Sequence, residues 1–298
     1  MEIGRLLTAM VTPFDEEGQF DYQQAKRLAL ALLDSGSDGL VVAATTGESP
    51  TLTHEEKRRL FSEVKGAVGE RGAVIAGTGT NSTAATIELS QEAEGCGVDG
   101  LLLTVPYYNR PTQEGLFQHF QAVAKATRLP CIPYNIPGRT GVNMTAETTI
   151  RLSQIPNIVG IKEASGDLVQ IARIVGGAPD GFRVWSGDDA LTLPILAVGG
   201  YGVICVVSHL AGAQMRELIE AYRAGRVEEA SSIHRRLLPL MSVLMTAATN
   251  PIPIKYALNQ IGFRVGKPRL PLVEPEEAAC ERIMAEVRRQ RVDLAVAV

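Results

Sequence analysis

Lys162 closes the apolar run NIVGIK and is the residue with the clearest chemical potential in the chain. A lysine amine that is removed from water has a lowered pKa, so the neutral nucleophile becomes available. Such an amine can condense with a carbonyl compound to form a Schiff base. A lysine at the end of an ordinary strand instead extends its ammonium into water, and this position taken alone leaves both interpretations open.

Other polar residues follow other apolar runs. Thr45 and Thr46 come after one run, Tyr134 ends another, and Arg139 lies in the loop that follows it. A phenol can transfer protons, and a guanidinium can bind a carboxylate through two parallel hydrogen bonds. Each residue also has an ordinary structural role: threonines cap helices, a strand-end tyrosine packs in a core, and a loop arginine faces water. The chemical interpretation requires a fold that collects them.

The elements that must position these residues alternate short β-branched apolar runs with amphipathic helical segments. This pattern is typical of parallel strands covered by helices on both faces. The joints at 32–42 and 93–103 form a weak internal repeat of helix end, glycine-rich turn, Asp-Gly and strand. The predicted strands are Leu6–Val11, Gly39–Ala43, Ala73–Ala76, Leu101–Val105, Cys131–Tyr134, Ile158–Lys162, Arg183–Ser186 and Val203–Val207.

Eight strand–helix units within about 220 residues predict an α/β fold, a closed (β/α)8 TIM barrel over residues 1–224. A doubly wound open sheet is the alternative, because strand order cannot be read from sequence. Residues 225–298 contain three helical segments without strands and predict a C-terminal helical region packed on the barrel. Pro239 lies inside the first segment and is expected to kink or shorten that helix.

The barrel gives the polar residues a common location. In such barrels the loops at the carboxyl ends of the strands form the active site. Lys162, Tyr134, Thr45, Thr46 and Arg139 all lie at or just after the ends of predicted strands. The fold therefore predicts that they meet at one mouth of the barrel.

Composition excludes several classes of protein. A net charge of −4 gives no basic surface for nucleic acid. The uncharged stretch 190–215 is interrupted by proline and glycines, which favours a helix, a turn and a buried strand over a membrane span. Four scattered cysteines without a CxxC pair and an N-terminus without an apolar signal segment predict a cytoplasmic protein without disulfides.

We expect neither a metal nor a nucleotide cofactor. The four histidines show no metal-ligand spacing. Residues 95–100 match GxGxxG, but this motif follows a helix and precedes a strand, which is the reverse of the order in dinucleotide-binding folds.

Several long motifs in register resemble the pyruvate-dependent class I aldolase family of (β/α)8 barrels, and within it the dihydrodipicolinate synthases. The resemblance covers essentially the whole chain and rests on TTGESPTLTHEEK, GTGTNSTAATIELS, VPYYNRPTQEGLFQHF, YNIPGRTGVNM, GIKEASGD, SGDD, GVICVVSH and NPIPIKYAL. It implies the condensation of pyruvate with L-aspartate 4-semialdehyde through a lysine Schiff base. The implied product is 4-hydroxy-tetrahydrodipicolinate, an intermediate toward diaminopimelate and lysine.

The resemblance also implies catalytic roles. Lys162 would form an imine and then an enamine with pyruvate, without any other cofactor. Tyr134 would pass protons to and from the substrate, linked through Thr45 to Tyr108. In the family the residue matching Tyr108 reaches across from a neighbouring subunit. A homodimer is therefore the implied minimum, and a tetramer built as a dimer of dimers the implied assembly.

Substrate-binding roles follow from the same resemblance. Thr46 would hold the pyruvate carboxylate, and Gly187 and Ile204 would shape the pyruvate pocket. Arg139 would bind the carboxylate of aspartate semialdehyde. Positions of the family's allosteric lysine pocket match His54, Asn81 and Tyr107.

Two departures from the family's pattern matter. Ala44 replaces a glycine in the usual GTTGE motif, which would strain the backbone if that position needs a positive φ. Ala85 replaces the glutamate that would bind the ammonium of an inhibitory lysine, and Lys57 replaces a histidine. These two changes predict weak or absent inhibition by lysine.

Two other functions are compatible with parts of the sequence. A sister lyase that cleaves a sugar acid, of the N-acetylneuraminate or keto-deoxy-gluconate type, would share the lysine, the tyrosine and the barrel. Arg139 and the paired threonines favour the synthase, because a guanidinium suits a carboxylated aldehyde better than a polyol. A barrel retained only for ligand binding is the other alternative, since fold alone does not establish catalysis.

Overall fold

The computed structural model describes residues 2–295, so the last three residues of the predicted C-terminal region lie outside the described residues. Eight parallel strands pair in sequence order, and β8 pairs with β1 to close the barrel. The closed TIM barrel is thereby confirmed and the open sheet is wrong. The strands are β1 (Leu6–Ala9), β2 (Gly39–Val42), β3 (Ala73–Gly77), β4 (Gly100–Thr104), β5 (Cys131–Asn135), β6 (Gly160–Glu163), β7 (Arg183–Ser186) and β8 (Gly202–Cys205).

Helices surround the barrel, and short 3-10 turns at Ser49–Thr51 and Asp189–Leu191 follow β2 and β7. Thr53 and Glu56 form a capping box at the start of α2, which fixes where this helix begins. The helices are α1 (Tyr22–Asp34), α2 (His54–Val68), α3 (Thr83–Gly95), α4 (Gln113–Lys125), α5 (Pro137–Thr140), α6 (Ala146–Leu152), α7 (Leu168–Gly177), α8 (Thr192–Ala197), α9 (Ser208–Arg223), α10 (Val227–Thr246), α11 (Ile252–Gln260) and α12 (Glu277–Arg288).

The strands divide their side chains between two apolar cores. Because successive strand residues point to opposite faces, Leu7 and Ile204 enter the barrel interior while Leu6 and Val203 pack against the helices. Both faces are therefore buried, which explains why the strands are continuously apolar in sequence. The predicted strand ends agree with the structure to within two residues.

The stretch 190–215 has the predicted helix, turn and strand, namely α8, a turn and β8, and continues into α9. Within residues 2–295, none of the helices combines the length and apolar character that crossing a bilayer requires. The GxGxxG match runs from the end of α3 to the start of β4, as predicted.

The C-terminal helices α10, α11 and α12 follow the barrel as predicted. The expected shortening of the first helix is wrong, because α10 continues for 20 residues through Pro239. Pro239 and Arg235 are both exposed, so water can bind the carbonyl of Arg235 that has no intrahelical donor. The end of the chain packs against both α9 and α10: Gln290 donates to the carbonyl of Arg236 on α10, and the Asp293 amide donates to the carbonyl of Leu210 on α9.

Candidate active site

Lys162 and Tyr134 occupy paired positions on neighbouring strands β6 and β5. Both side chains are buried, and only 5% of Lys162 is exposed. The Lys162 Nζ atom lies 4.1 Å from the centroid of the Tyr134 ring. The structure therefore brings the two principal predicted residues together, and it contradicts the alternative in which the ammonium extends into water.

Burial lowers the pKa of Lys162 to about 8. The Asp189 carboxyl and the Cys205 thiol act in the opposite direction, while Arg139 lowers the pKa further. Burial raises the pKa of Asp189 to about 6, against hydrogen bonds from the amides of Val207 and Val206. The lysine thus has an accessible neutral form near neutral pH.

The phenol of Tyr134 keeps its proton near neutral pH. Burial raises the pKa of its phenol above the ordinary value, and Arg139 opposes that effect. A protonated phenol beside an amine can donate a hydrogen bond or a proton to a bound substrate. The pair therefore combines a nucleophile with a proton donor.

Gly187, at the end of β7, packs directly on the lysine. A Cβ atom at this position would lie 3.1 Å from the Lys162 Cε atom and 2.9 Å from the Ala164 Cβ atom. Its amide also donates to the Glu163 carbonyl at 2.7 Å. The absence of a side chain at Gly187 thus allows β7 to approach Lys162. Ile204 is buried in the same interior cluster as Tyr134.

A cavity of about 310 Å³ opens at the carboxyl ends of β2 to β5, and neither Lys162 nor Tyr134 is among the residues that line it. Thr45 and Arg139 line it, together with Ala44 and Ile136. Ala44 belongs to the interior apolar cluster that contains Tyr134, and Ile136 packs against it, so the cavity and the lysine–tyrosine pair lie at the same end of the barrel. Its dimensions suit small-molecule substrates.

Thr46 is buried, and its hydroxyl accepts a hydrogen bond of 3.0 Å from the amide of Asn250, which lines the cavity. Arg139 donates to the Asn250 carbonyl at 3.2 Å. Sequence reasoning missed Asn250, although it begins the NPIPIKYAL motif. The C-terminal region therefore contributes directly to the cavity.

The threonines do not cap the helix that follows them, because Thr53 caps α2. The structure thus contradicts their ordinary structural interpretation. The expected strain at Ala44 does not arise there: the preceding residue, Ala43, has the positive φ, at 50°. With alanine in place of the glycine, Thr45 lines the cavity and Thr46 binds Asn250.

Tyr108 stands apart from the other predicted catalytic residues. It is 90% exposed and has a left-handed φ of 72°. Among the described residues, no hydrogen bond links it to Thr45 or Tyr134. The proton relay is not assembled within one chain, so a contribution from a neighbouring protomer stays a prediction.

The three predicted allosteric residues have separate surroundings. Tyr107 lines the cavity, the Asn81 carbonyl accepts from Asn109, and the His54 Nδ1 atom lies 3.7 Å from a Glu92 oxygen. No hydrogen bond or ion pair joins the three residues in the described part of the chain. Over residues 2–295, no group of three or more potential side-chain ligands is placed to hold a metal ion.

A buried polar network, also missed from the sequence, fixes the two catalytic strands. The Asn135 amide donates to both carboxylate oxygens of Glu163 at 3.1 Å. Gln170 and the Ser165 amide donate to the same carboxylate. Asn135 follows Tyr134 and Glu163 follows Lys162, so this network holds the strand ends that carry the pair.

Fold and site together define a (β/α)8-barrel enzyme with a buried lysine at the mouth of its barrel. The Dihydrodipicolinate synthetase family matches residues 2–290, and the chain belongs to that family.

Curated and solved relatives agree with this membership. The chain is 60% identical over 288 residues to the 4-hydroxy-tetrahydrodipicolinate synthase of Moorella thermoacetica, covering 97% of this chain and 98% of that protein. A lysine-bound dihydrodipicolinate synthase structure from Cyanidioschyzon merolae has a TM-score of 0.95 at 48% identity and covers 96% and 98% of the two chains. An Acinetobacter baumannii dihydrodipicolinate synthase structure with pyruvate has a TM-score of 0.93 at 36% identity and covers 99% and 100%.

Proposed function

We propose that this protein condenses pyruvate with L-aspartate 4-semialdehyde to form 4-hydroxy-tetrahydrodipicolinate, on the route to diaminopimelate and lysine. The observation that carries the proposal is the buried Lys162 amine against the Tyr134 ring. The name of the Moorella thermoacetica relative supports the same reaction. Arg139 beside the cavity favours a carboxylated aldehyde over a sugar.

In the first half-reaction, the neutral Lys162 amine attacks the keto carbon of pyruvate, and the keto oxygen leaves as water. The resulting iminium ion withdraws electrons from the adjacent methyl group, which loses a proton to give an enamine. Tyr134 can supply and recover protons during these steps, because its phenol remains protonated. Thr46 holds the pyruvate carboxylate.

In the second half-reaction, the enamine carbon attacks the aldehyde carbon of aspartate semialdehyde while Arg139 holds its carboxylate, and the aldehyde oxygen takes up a proton to become the 4-hydroxyl group. The amine of this substrate then displaces Lys162 by transimination, which closes the ring and frees the enzyme. One water is released overall. The lysine nitrogen accepts electrons in the iminium ion and returns them from the enamine when the carbon–carbon bond forms, so the proposed chemistry requires no metal or organic cofactor.

We extend the proposal to assembly and location. The exposed Tyr108 suits a contact in which each protomer contributes to its partner's site, which makes a homodimer the smallest active unit and a tetramer the complete assembly. Cys96, Cys131, Cys205 and Cys280 are free thiols, which suits the reducing cytoplasm.

Comparison of aldehyde substrates tests the proposed reaction. Turnover with pyruvate is measured with aspartate semialdehyde, N-acetylmannosamine and glyceraldehyde as the second substrate. We expect aspartate semialdehyde to give a kcat/KM at least a hundredfold above the other two. Preference for either sugar aldehyde would overturn the substrate assignment.

A further inference from the structure

A fully buried ion pair joins the C-terminal region to the loop that carries the paired threonines. The Lys255 Nζ atom on α11 lies 2.7 Å from a carboxylate oxygen of Glu48, and at most 1% of either side chain is exposed. Glu48 follows Thr45, Thr46 and Gly47 directly. The pair therefore connects residues 207 positions apart at the edge of the cavity.

Both charged groups have their hydrogen bonds satisfied. The three N–H groups of Lys255 donate to Glu48 and to the carbonyls of Thr12 and Lys267. The second oxygen of Glu48 accepts from the Arg269 amide at 2.8 Å. Such complete satisfaction fixes the carboxylate in one position, because any displacement would leave buried donors without acceptors.

The backbone around Glu48 depends on this fixed position. Glu48 has a left-handed φ of 58°, which is unfavourable for a residue with a side chain and requires support from its surroundings. Its amide donates to the Thr45 carbonyl, while the Thr12 hydroxyl donates to the Gly47 carbonyl. Thr12 also accepts from Lys255, so one ammonium supports both sides of the turn.

Stabilisation of the folded protein is a poor explanation for the buried ion pair of Lys255 and Glu48. The cost of removing two charges from water offsets much of their attraction, and an apolar pair of similar volume often gives equal or greater stability. A buried pair of this kind is better suited to selecting one loop conformation. Here the selected loop carries Thr45, which lines the cavity, and Thr46, which accepts a hydrogen bond from Asn250.

We infer that Lys255 and Glu48 are positioning residues that hold the loop of Thr45 and Thr46 in the conformation in which Thr46 binds pyruvate. This inference rests on the proposed function for the role of the threonines. It also assigns the C-terminal region a part in the reaction, beyond packing against the barrel.

The test compares Lys255→Met, Glu48→Gln and the double variant with the wild-type protein. Lys26→Met is the matched control, because Lys26 pairs with Glu63 at 2.9 Å on the surface, away from the cavity. Three quantities are measured: the melting temperature, the pyruvate concentration that half-saturates borohydride trapping, and hydrogen exchange of the peptide spanning residues 44–50.

We expect Lys255→Met to melt at a lower temperature, because it leaves the Glu48 carboxylate buried without its partner. The double variant carries no buried charge and regains much of that loss. Its half-saturating pyruvate concentration nevertheless stays raised by about tenfold or more, because the loop is no longer held. Exchange of the 44–50 peptide is faster in Lys255→Met and in the double variant, and Lys26→Met leaves the half-saturating pyruvate concentration and the exchange of this peptide unchanged.

Recovery of pyruvate affinity together with melting temperature in the double variant would overturn the inference, since the pair would then act only on stability. If Lys255→Met does not fold, the same three measurements on Glu48→Gln and on the double variant test the inference. Failure of wild-type trapping would refute the proposed function instead. Unchanged hydrogen exchange of the 44–50 peptide in the variants would refute the positioning role of Lys255 and Glu48.

Discussion

The amine of Lys162 and the ring of Tyr134 are in van der Waals range across two paired strands, with Nζ 4.1 Å from the ring centroid. The ring face attracts a cation and so favours the charged amine, whereas burial favours the neutral one. Burial is the larger influence and lowers the pKa of Lys162 to about 8. The lysine can therefore alternate between the two forms near neutral pH.

The rate of imine formation should follow this pKa. Below about pH 8 the charged amine predominates, so the trapping rate falls by about tenfold for each pH unit. Above pH 8 the amine is mostly neutral, and the rate levels off. Initial trapping rates with saturating pyruvate between pH 6 and 9 measure this profile. A rate that is level down to pH 6 would contradict a lysine pKa near 8.

Gly187→Ala should displace the nucleophile. The added methyl group would lie 3.1 Å from the Lys162 Cε atom, so the lysine side chain must move. Misplacement of a reacting group by about 1 Å can cost on the order of a hundredfold in rate, so we expect this shift of a few tenths of an ångström to cost about tenfold in kcat/KM for pyruvate. Gly176→Ala is the control, because a Cβ atom there meets no atom within 4 Å beyond its chain neighbours and the backbone of its own helix. Equal activity of the two variants would refute close packing at Gly187.

Arg139→Ala should impair the reaction with aspartate semialdehyde and leave the reaction with pyruvate nearly unchanged. Loss of a charge-assisted hydrogen bond to the aldehyde's carboxylate is expected to cost about 1.5–3 kcal/mol, or roughly 10- to 150-fold in kcat/KM for aspartate semialdehyde. Pyruvate trapping at pH 9 should remain within threefold of wild type. Arg151→Ala, which breaks a surface pair with Glu114, serves as the control. A variant that loses trapping and leaves the aldehyde KM unchanged would require a different role for Arg139.

Lysine should inhibit this protein weakly or not at all. Ala85 lacks the carboxylate that would bind the ammonium of an inhibitory lysine. Lys57 is buried on α2, and burial lowers the pKa of its amine. Steady-state rates with increasing lysine test this expectation, and Ala85→Glu is the gain-of-inhibition variant. Strong inhibition of the wild type at millimolar lysine would show that the expectation is wrong.

The barrel was predictable because its signal is local and repeated: each strand is an apolar run between helical segments. The ends of the strands were less predictable. Val206 and Val207 continue the apolar run of β8, but their amides bind the Asp189 carboxylate and not a neighbouring strand. Ile158 lies before β6 and forms only an isolated bridge to Cys131. These hydrogen-bond partners depend on tertiary contacts, which the hydrophobic periodicity of the sequence does not indicate.

The residues of the candidate site were also predictable only in part. Lys162 and Tyr134 could be assigned to one barrel mouth, because strand ends converge there whatever the side chains are. The contributions of Asn250 and Lys255 could not be assigned, since each reaches its partner across more than 200 residues. A sequence pattern that indicates a helix does not indicate which loop that helix will contact.

The most direct test of the account is the location of the trapped substrate. Borohydride reduction in the presence of pyruvate, followed by peptide mass spectrometry, should place one pyruvate-derived adduct on the peptide that contains Lys162. Lys162→Ala should show no such adduct and no turnover, while Lys255 and the other lysines remain unmodified. An adduct on another lysine, or a Lys162→Ala variant that retains turnover, would contradict the central claim.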